Sequence, residues 1–247
     1  MRIIECQQRS AAWFQAHCGV VTASSMDAVL AFTQKGEPKA ERKTYFRQKL
    51  AERLTGIAIQ DNYVSREMLE GIEKEPLGIA AYEREEDAMV ETVGFCLSDE
   101  VERLGYSPDG FVGKDGLVEG KCPKPGTHLQ YVLDGCIPEM YLAQIRTGLC
   151  VTGREWCDFF SFSPEVPKPL QLMVIRYERN QADMDLIAAG AAKFNGEIDA
   201  AIEKLRGIVG HFDLPAAAME EPEREDEAAE AFLSDEDIAW AQRGYTE

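Results

Sequence analysis

Two short stretches carry residue types that can do chemistry together: Ser107-Pro-Asp-Gly110 and, starting seven residues on, Leu117-Val-Glu-Gly-Lys-Cys-Pro123. Asp109 sits at a tight turn leading into a strand. Glu119 and Lys121 are two residues apart on the next strand, so the period of two puts both side chains on one face. Two adjacent strands can then converge two carboxylates and one ammonium. Hard oxygen ligands of this kind suit Mg²⁺ or Mn²⁺, with water and a substrate phosphate completing the shell. Such an ion polarises a phosphate, and a nearby ammonium orients water or offsets the charge that develops. A solvent-facing strand with an ordinary Glu–Lys pair fits the same spacing, and both readings stand on pattern alone.

The flanking elements must position these groups. Residues 10–31 read as a helix, a turn at Gly19 and a second helix from Thr22 or Ser24. Thr44 to Leu54 is helix-like, with Tyr45, Phe46, Leu50 and Leu54 at near-helical spacing and Gly56 as a stop. Ser65 to about Val93 continues as helix, with a possible break at Pro76. Gly94–Leu97, Gly110–Val112 and Gly116–Gly120 are strand-like, separated by Gly and Asp turns. Pro138–Cys150 reads as helix, and Trp156–Phe162 and Leu172–Tyr177 as core strands. From Ala182 to about Arg206, Met184, Ile187, Ala191, Phe194, Ile198, Ile202 and Leu205 form one buried helical stripe. This order predicts an α/β fold, a central mixed sheet flanked by helices. Residues 1–212 form the expected globular domain. Residues 213–247 form an acidic tail, a linker to about 231 followed by a short helix capped at Ser234.

Composition sets the boundaries. The chain has 247 residues, 45% hydrophobic and 28% charged, as in a globular protein with one core. It has no apolar run long enough to span a membrane and no signal-peptide core. Seven scattered cysteines form no C-x-x-C pair, which argues against a zinc knuckle or disulfide framework and for a cytoplasmic setting. The net charge of −18 argues against a uniformly DNA-coating surface. However, ten acids between Met219 and Asp237 face a single base, Arg224. Conversely, Lys35, Lys39, Arg42, Lys43, Arg47, Lys49 and Arg53 face only Glu37, Glu41 and Glu52. That run reads either as a DNA-facing track or as a solvated helix face.

Several blocks in order resemble a known family. They are Trp13, Gly19-Val-Val-Thr-Ala-Ser24, Tyr45-Phe46 with Leu50-Ala-Glu-Arg-Leu-Thr-Gly56, and Gly71-x-x-x-Glu75-x-x-Gly78-x-x-x-Tyr82. Ser107-Pro-Asp-Gly110, Glu119-x-Lys-Cys-Pro123, Ala143-Gln144 and Val151-Thr152 follow. Together they resemble the YqaJ-type viral recombinases, the phage lambda exonuclease family within the PD-(D/E)XK nuclease superfamily. The resemblance runs from about Ala12 to Arg206.

It implies a restriction-endonuclease-like core with Asp109, Glu119 and the carbonyl of Gly120 as ligands of Mg²⁺, or Mn²⁺, as a pair of ions. Lys121 is implied as the catalytic lysine, Glu75 as the helix-borne glutamate that handles the attacking water, and Gln144 as the active-site glutamine. Ser24 and Ser107 resemble the serines of a pocket for the 5′-phosphate of a DNA end. Met68 aligns with an apolar wedge between terminal bases, where helix packing is the competing reading. Where the family's phage enzyme has an arginine, this chain has His17. Histidine cannot make the bidentate contact, so His17 is either a weaker phosphate ligand or a packed residue.

The implied activity is processive 5′–3′ digestion of double-stranded DNA ends, leaving 3′ single strands for phage recombination. The implied partners are the DNA end, two further copies in a toroidal homotrimer, and a single-strand annealing protein in the bacterial host cytosol. A non-catalytic DNA-binding or assembly protein on this fold and an endonuclease are the rivals. An iron–sulfur nuclease is excluded, since the last cysteine is Cys157 and no cluster flanks the core. His128, expected in a loop, and His211 lack partners at ligand spacing, and Cys122 should pack on the face opposite Lys121.

Overall fold

The computed structural model describes residues 1–59 and 66–215, the side chains of 66–68 excepted. In chain order the elements are β1 (Arg2–Ile4), α1 (Ala11–Ala16), β2 (Val21–Thr22), α2 (Met26–Val29), α3 (Ala40–Thr55) and α4 (Arg66–Glu86). Then come β3 (Val90–Glu91), β4 (Phe95–Leu97), β5 (Leu104–Tyr106), β6 (Gly110–Val112) and β7 (Gly116–Lys121). The remainder are α5 (Pro125–Asp134), α6 (Glu139–Thr152), β8 (Trp156–Phe162), β9 (Leu172–Glu178) and α7 (Gln181–Val209). The architecture is α/β with helices flanking mixed sheets.

Two sheets replace the single expected one. β3-β6-β7-β8-β9 form the larger, and β1-β4-β5-β2 the smaller. β6 and β7 are an antiparallel hairpin, whereas β7 and β8 are parallel with Glu119 opposite Phe159 and Lys121 opposite Ser161. A parallel pair needs a crossover. Here α5 and α6 supply it, which brings α6 over the face carrying Leu117 and Glu119. α4 packs on the opposite face, where Tyr82, Val118 and Phe160 share a cluster. The main core lies between sheet and helices, with Ile145, Leu149, Phe159, Ile187 and Phe194 at 0% exposure.

Several local expectations change, among them the helix expected to about Val93, which ends at Glu86 because Val90 and Glu91 pair with β6 as β3. The second helix of 10–31 is present but shortened to α2: Val21 and Thr22 pair in parallel with Leu104 and Gly105 as β2, and a 3-10 turn over 23–25 precedes Met26. That partner lies over 80 residues away and leaves no local trace. Pro76 does not break α4; proline there removes the N–H that would bond the Ile72 carbonyl, and the helix continues to Glu86. The stretch around His128, expected as loop, is helix α5, which opens with Pro125 in its first turn. His128 therefore sits in a helix, fully buried, its ring nitrogens 2.8 Å from Ser161 Oγ and 2.7 Å from the Leu170 carbonyl. The expected linker and C-terminal helix, from residue 216 on, lie outside the described residues.

The basic run divides. Lys35, Lys39, Lys43 and Arg47 are exposed, but Arg42, Lys49 and Arg53 are buried. Glu52, 2% exposed, takes Lys49 Nζ at 2.7 Å and the Gly19 amide at 2.8 Å. Arg53 donates to the Gly19 carbonyl at 3.0 Å and to Asp199 on α7 at 3.1 Å, and Arg42 reaches Glu197 at 2.8 Å. These three cations bind α3 to the Gly19 turn and to α7. They are neither track nor solvated face.

Candidate active site

Glu119 lies at the centre, on β7, with no exposed surface. Its Oε1 accepts from Lys121 Nζ at 2.5 Å and from Gln144 Nε2 at 2.6 Å, and its Oε2 accepts from Tyr106 OH at 3.0 Å. Alternation along β7 delivers Glu119 and Lys121 to the same face, as expected, and the α6 crossover brings Gln144 over it. α6 comes close because Gly148 has no side chain: a Cβ there would stand 2.8 Å from the Tyr106 ring. A second glycine fixes the other side. At Gly120 a Cβ would meet Phe160 at 2.2 Å, so only glycine lets that ring lie flat on the strand. The Gly120 amide donates to Asp109 Oδ2 at 2.7 Å, which ties the turn before β6 to β7.

The electrostatics follow from burial. Burial pushes the Glu119 carboxyl well above its usual range, Lys121 pulls it back, and Asp109 adds to the rise. Burial opposes the charge on Lys121, but Glu119 and Asp109 outweigh it and hold the ammonium firmly protonated. Glu75 arrives from α4, half-buried. Its pKa is raised first by desolvation and then by Asp109, with Arg9 and Lys121 acting against both. Glu75, Asp109 and Arg9 line one cleft of about 530 Å³.

Among the described residues no group of three or more His, Cys, Asp or Glu side chains is arranged to enclose an ion. The donor set nevertheless fits a hard divalent cation. Mg²⁺ binds through one or two carboxylates and fills its shell with water and substrate phosphate. A fully buried carboxylate with a raised pKa, beside a second carboxylate, is an arrangement that such a cation relieves.

The 5′-phosphate candidates are placed by the smaller sheet. β2 and β5 are parallel with Thr22 opposite Gly105, so Ser24 and Ser107 each follow two residues after the paired positions, just past the ends of neighbouring strands. Ser24 is exposed, and the Ser107 hydroxyl accepts from Trp13 Nε1 at 2.8 Å. His17 lies between the rings of Trp13 and Phe95, at 3.8 and 3.9 Å between centroids. Burial lowers its pKa to about 4. A neutral ring in that position provides packing and no cationic contact, which favours the packed reading. Met68 falls in α4, but its side chain is outside the described residues. Cys122 packs against α4, and a Cβ at Gly78 would lie 3.3 Å from its sulfur.

Three residues were missed in the sequence. Tyr106 precedes Ser107-Pro-Asp, and its alternation on β5 marks only a core position. Tyr141 stands three residues before Gln144 on α6, with Lys121 Nζ 5.3 Å from its ring centre, a spacing that could have drawn notice. Gln8 donates to the Pro108 carbonyl at 2.9 Å across 100 residues, and nothing local could have signalled that.

A family model described as a YqaJ-like viral recombinase domain matches residues 12–155. A crystal structure of an alkaline exonuclease (LHK-Exo) from Laribacter hongkongensis is similar at 34% identity and TM-score 0.73, covering 81% of this chain and 97% of that one. LHK-Exo in complex with dAMP matches with the same identity and coverage at TM-score 0.74. A phage-related exonuclease from Haemophilus somnus 129PT, 12% identical over 74% of this chain and 96% of its own, shares the fold at TM-score 0.56. No curated protein sequence matches significantly. No helix among the described residues is long and apolar enough to cross a membrane.

Proposed function

The chain belongs to the family of YqaJ-like viral recombinase domains, and from that membership we propose that it is a metal-dependent exonuclease acting on double-stranded DNA ends. The observation that carries the reading is the convergence of Lys121 Nζ and Gln144 Nε2 on Glu119 Oε1, at 2.5 and 2.6 Å, with Asp109 hydrogen-bonded to the backbone of Gly120 between Glu119 and Lys121. The likeness to an alkaline exonuclease over four-fifths of the chain supports it.

Asp109, Glu119 and the Gly120 carbonyl would hold the cation, Mg²⁺ or Mn²⁺, as one or a pair of ions. When bound, it supplies Lewis-acid stabilisation of charge on the phosphate. The protein's own groups do the rest. Gln144 and Tyr106 fix the orientation of Glu119. Lys121, kept charged by its two carboxylate neighbours, offsets the negative charge that grows on the scissile phosphate. Glu75, with its raised pKa, takes a proton from the attacking water. Ser24 and Ser107 form the pocket for a 5′-phosphate, to which His17 adds a neutral ring.

The finer reading is processive 5′–3′ digestion that leaves a 3′ strand, performed by a toroidal homotrimer beside a single-strand annealing protein in a bacterial host's cytoplasm. Residues 1–212 would form the nuclease domain, and the acidic segment after it would contact the partner or keep DNA off the rim.

Linear duplex DNA labelled separately at each 5′ and 3′ end, incubated with Mg²⁺ or EDTA beside closed circular DNA, tests this. Early release of 5′ label from linear DNA alone, abolished by EDTA, is the expected result. Early 3′ release would reverse the polarity, cutting of the circle would make it an endonuclease, and intact DNA throughout would leave a binding or assembly protein.

A further inference from the structure

The cleft beside the catalytic pair contains a cation that the reaction as described does not use. Its walls are apolar on the α4 and β3 side, with Ile72, Ile79 and Val90, and its volume is about 530 Å³. Its lining also carries the carboxylates of Glu75, Glu83 and Asp109, which repel a phosphate unless a positive group offsets them. Arg9 is the residue that brings one. It is exposed, lines the cleft, and makes no ion pair with another described residue.

Arg9 is also held where it is. Its φ is 66°, a left-handed conformation that side chains other than glycine seldom adopt and that persists where surrounding contacts enforce it. The enforcing contacts lie on both sides. The Ser10 amide closes a turn onto the Gln7 carbonyl at 3.1 Å, and Ser10 Oγ caps α1 by accepting from Trp13 N at 3.2 Å. Gln8 donates to the Pro108 carbonyl at 2.9 Å, and Trp13 to Ser107 Oγ at 2.8 Å. The loop carrying Arg9 is thus bound twice to the segment that immediately precedes Asp109. The backbone from which the Arg9 side chain springs therefore keeps its position relative to the segment before Asp109, while the guanidinium stays free to meet a ligand.

We propose that Arg9 is a DNA-binding residue whose guanidinium takes a phosphate of the strand being cut, on the Glu75 side of the catalytic centre, with the adjoining sugar and base in the apolar cleft. This rests on the nuclease reading above. A planar fork of donors suits a phosphate, and the apolar wall suits the face of a base.

Arg9→Gly is the informative variant, because glycine adopts a φ of 66° freely and the loop should keep its shape. Binding of a fluorescent blunt duplex is measured in Ca²⁺ buffer across a salt series, and kcat and KM in Mg²⁺, for the wild type, Arg9→Gly, Arg9→Lys and Arg84→Ala. Arg84 is exposed on α4 and controls for loss of one charge. The expected result for Arg9→Gly is roughly tenfold weaker binding, a salt slope smaller by about one, and a raised KM with kcat within about twofold. Arg9→Lys should keep the slope and lose part of the affinity, with Arg84→Ala unchanged. Wild-type affinity and slope in Arg9→Gly would overturn the proposal, as would a fall in kcat at unchanged KM and Kd, which would make Arg9 a modulator of Glu75 alone. If the wild type cuts DNA and Arg9→Gly matches it, only this inference falls; if the wild type neither binds nor cuts, the nuclease reading falls with it.

Discussion

Two buried clusters of charge differ in what their hydrogen bonds leave over. Around α3, Glu52 accepts from Lys49, Gln48 and the amides of Gly19 and Ile59, while Arg53 is taken up by Gly19, Asn195 and Asp199. Every strong group faces another protein group, so the cluster fixes the packing of α3 and α7 and is closed to ligands. At the sheet end, Glu119 is equally buried and equally well bonded, but its neighbours Asp109 and Glu75 face a cleft. There burial and Asp109 raise the Glu75 pKa against Arg9 and Lys121. The difference shows that burial of charge does not by itself mark a catalytic site. What sets the second cluster apart is that two of its carboxylates, Asp109 and Glu75, line an opening.

The largest expected effect tests the open cluster. Lys121→Ala should lower the rate of DNA hydrolysis on the order of 10³-fold, with a Tm within about 5 °C of wild type. A variant that unfolds instead would make Lys121 a structural residue like Lys49 and erase the contrast. The closed cluster should show the opposite pattern. Glu52→Ala strands the buried Lys49 ammonium and should cost about 3 kcal/mol or more of stability in urea unfolding, with kcat unchanged in the remaining folded protein. A silent Glu52→Ala would mean that solvent reaches the cluster.

A pH series sharpens the same boundary. The folded-state pKa of His17 is lowered to about 4 by burial, below its ordinary value near 6.5. Between those values the unfolded chain binds the proton and the folded chain does not. Stability should therefore be fully present above about pH 6.5 and decline toward pH 4, by on the order of 3 kcal/mol. His17→Phe should remove that share of the slope; an unchanged slope would show that His17 is accessible and chargeable. The smallest effect is at Tyr106. Tyr106→Phe removes the donor to Glu119 Oε2 and should raise the Mg²⁺ concentration for half-maximal activity about tenfold. An unaffected Mg²⁺ dependence would place Glu119 outside the ion's coordination.

The spacing of Glu119 and Lys121 made one face of β7 legible, because strand alternation is a local rule. The apolar period of α7 was legible for the same reason, and its stripe from Met184 to Ile202 is buried. The two-residue strand β2 was not, since its partner is distant in sequence. Nor was the division of the basic run. Lys43 and Arg42 are neighbours in the chain, yet one is exposed and the other bonded to Val29 and Glu197.

The sequence by itself determined the α/β order of elements, the placing of Glu119 and Lys121 on one face of one strand, and the blocks that mark the family. These depend on side-chain identity at short spacing, which the chain carries without folding. Tertiary structure alone decided that α6 would deliver Gln144 to Glu119, that His17 would be held between two rings, and that the loop carrying Arg9 would be bound to the segment before Asp109. Each of those depends on contacts between segments far apart in the chain, and such contacts exist only once the sheet has set the distances.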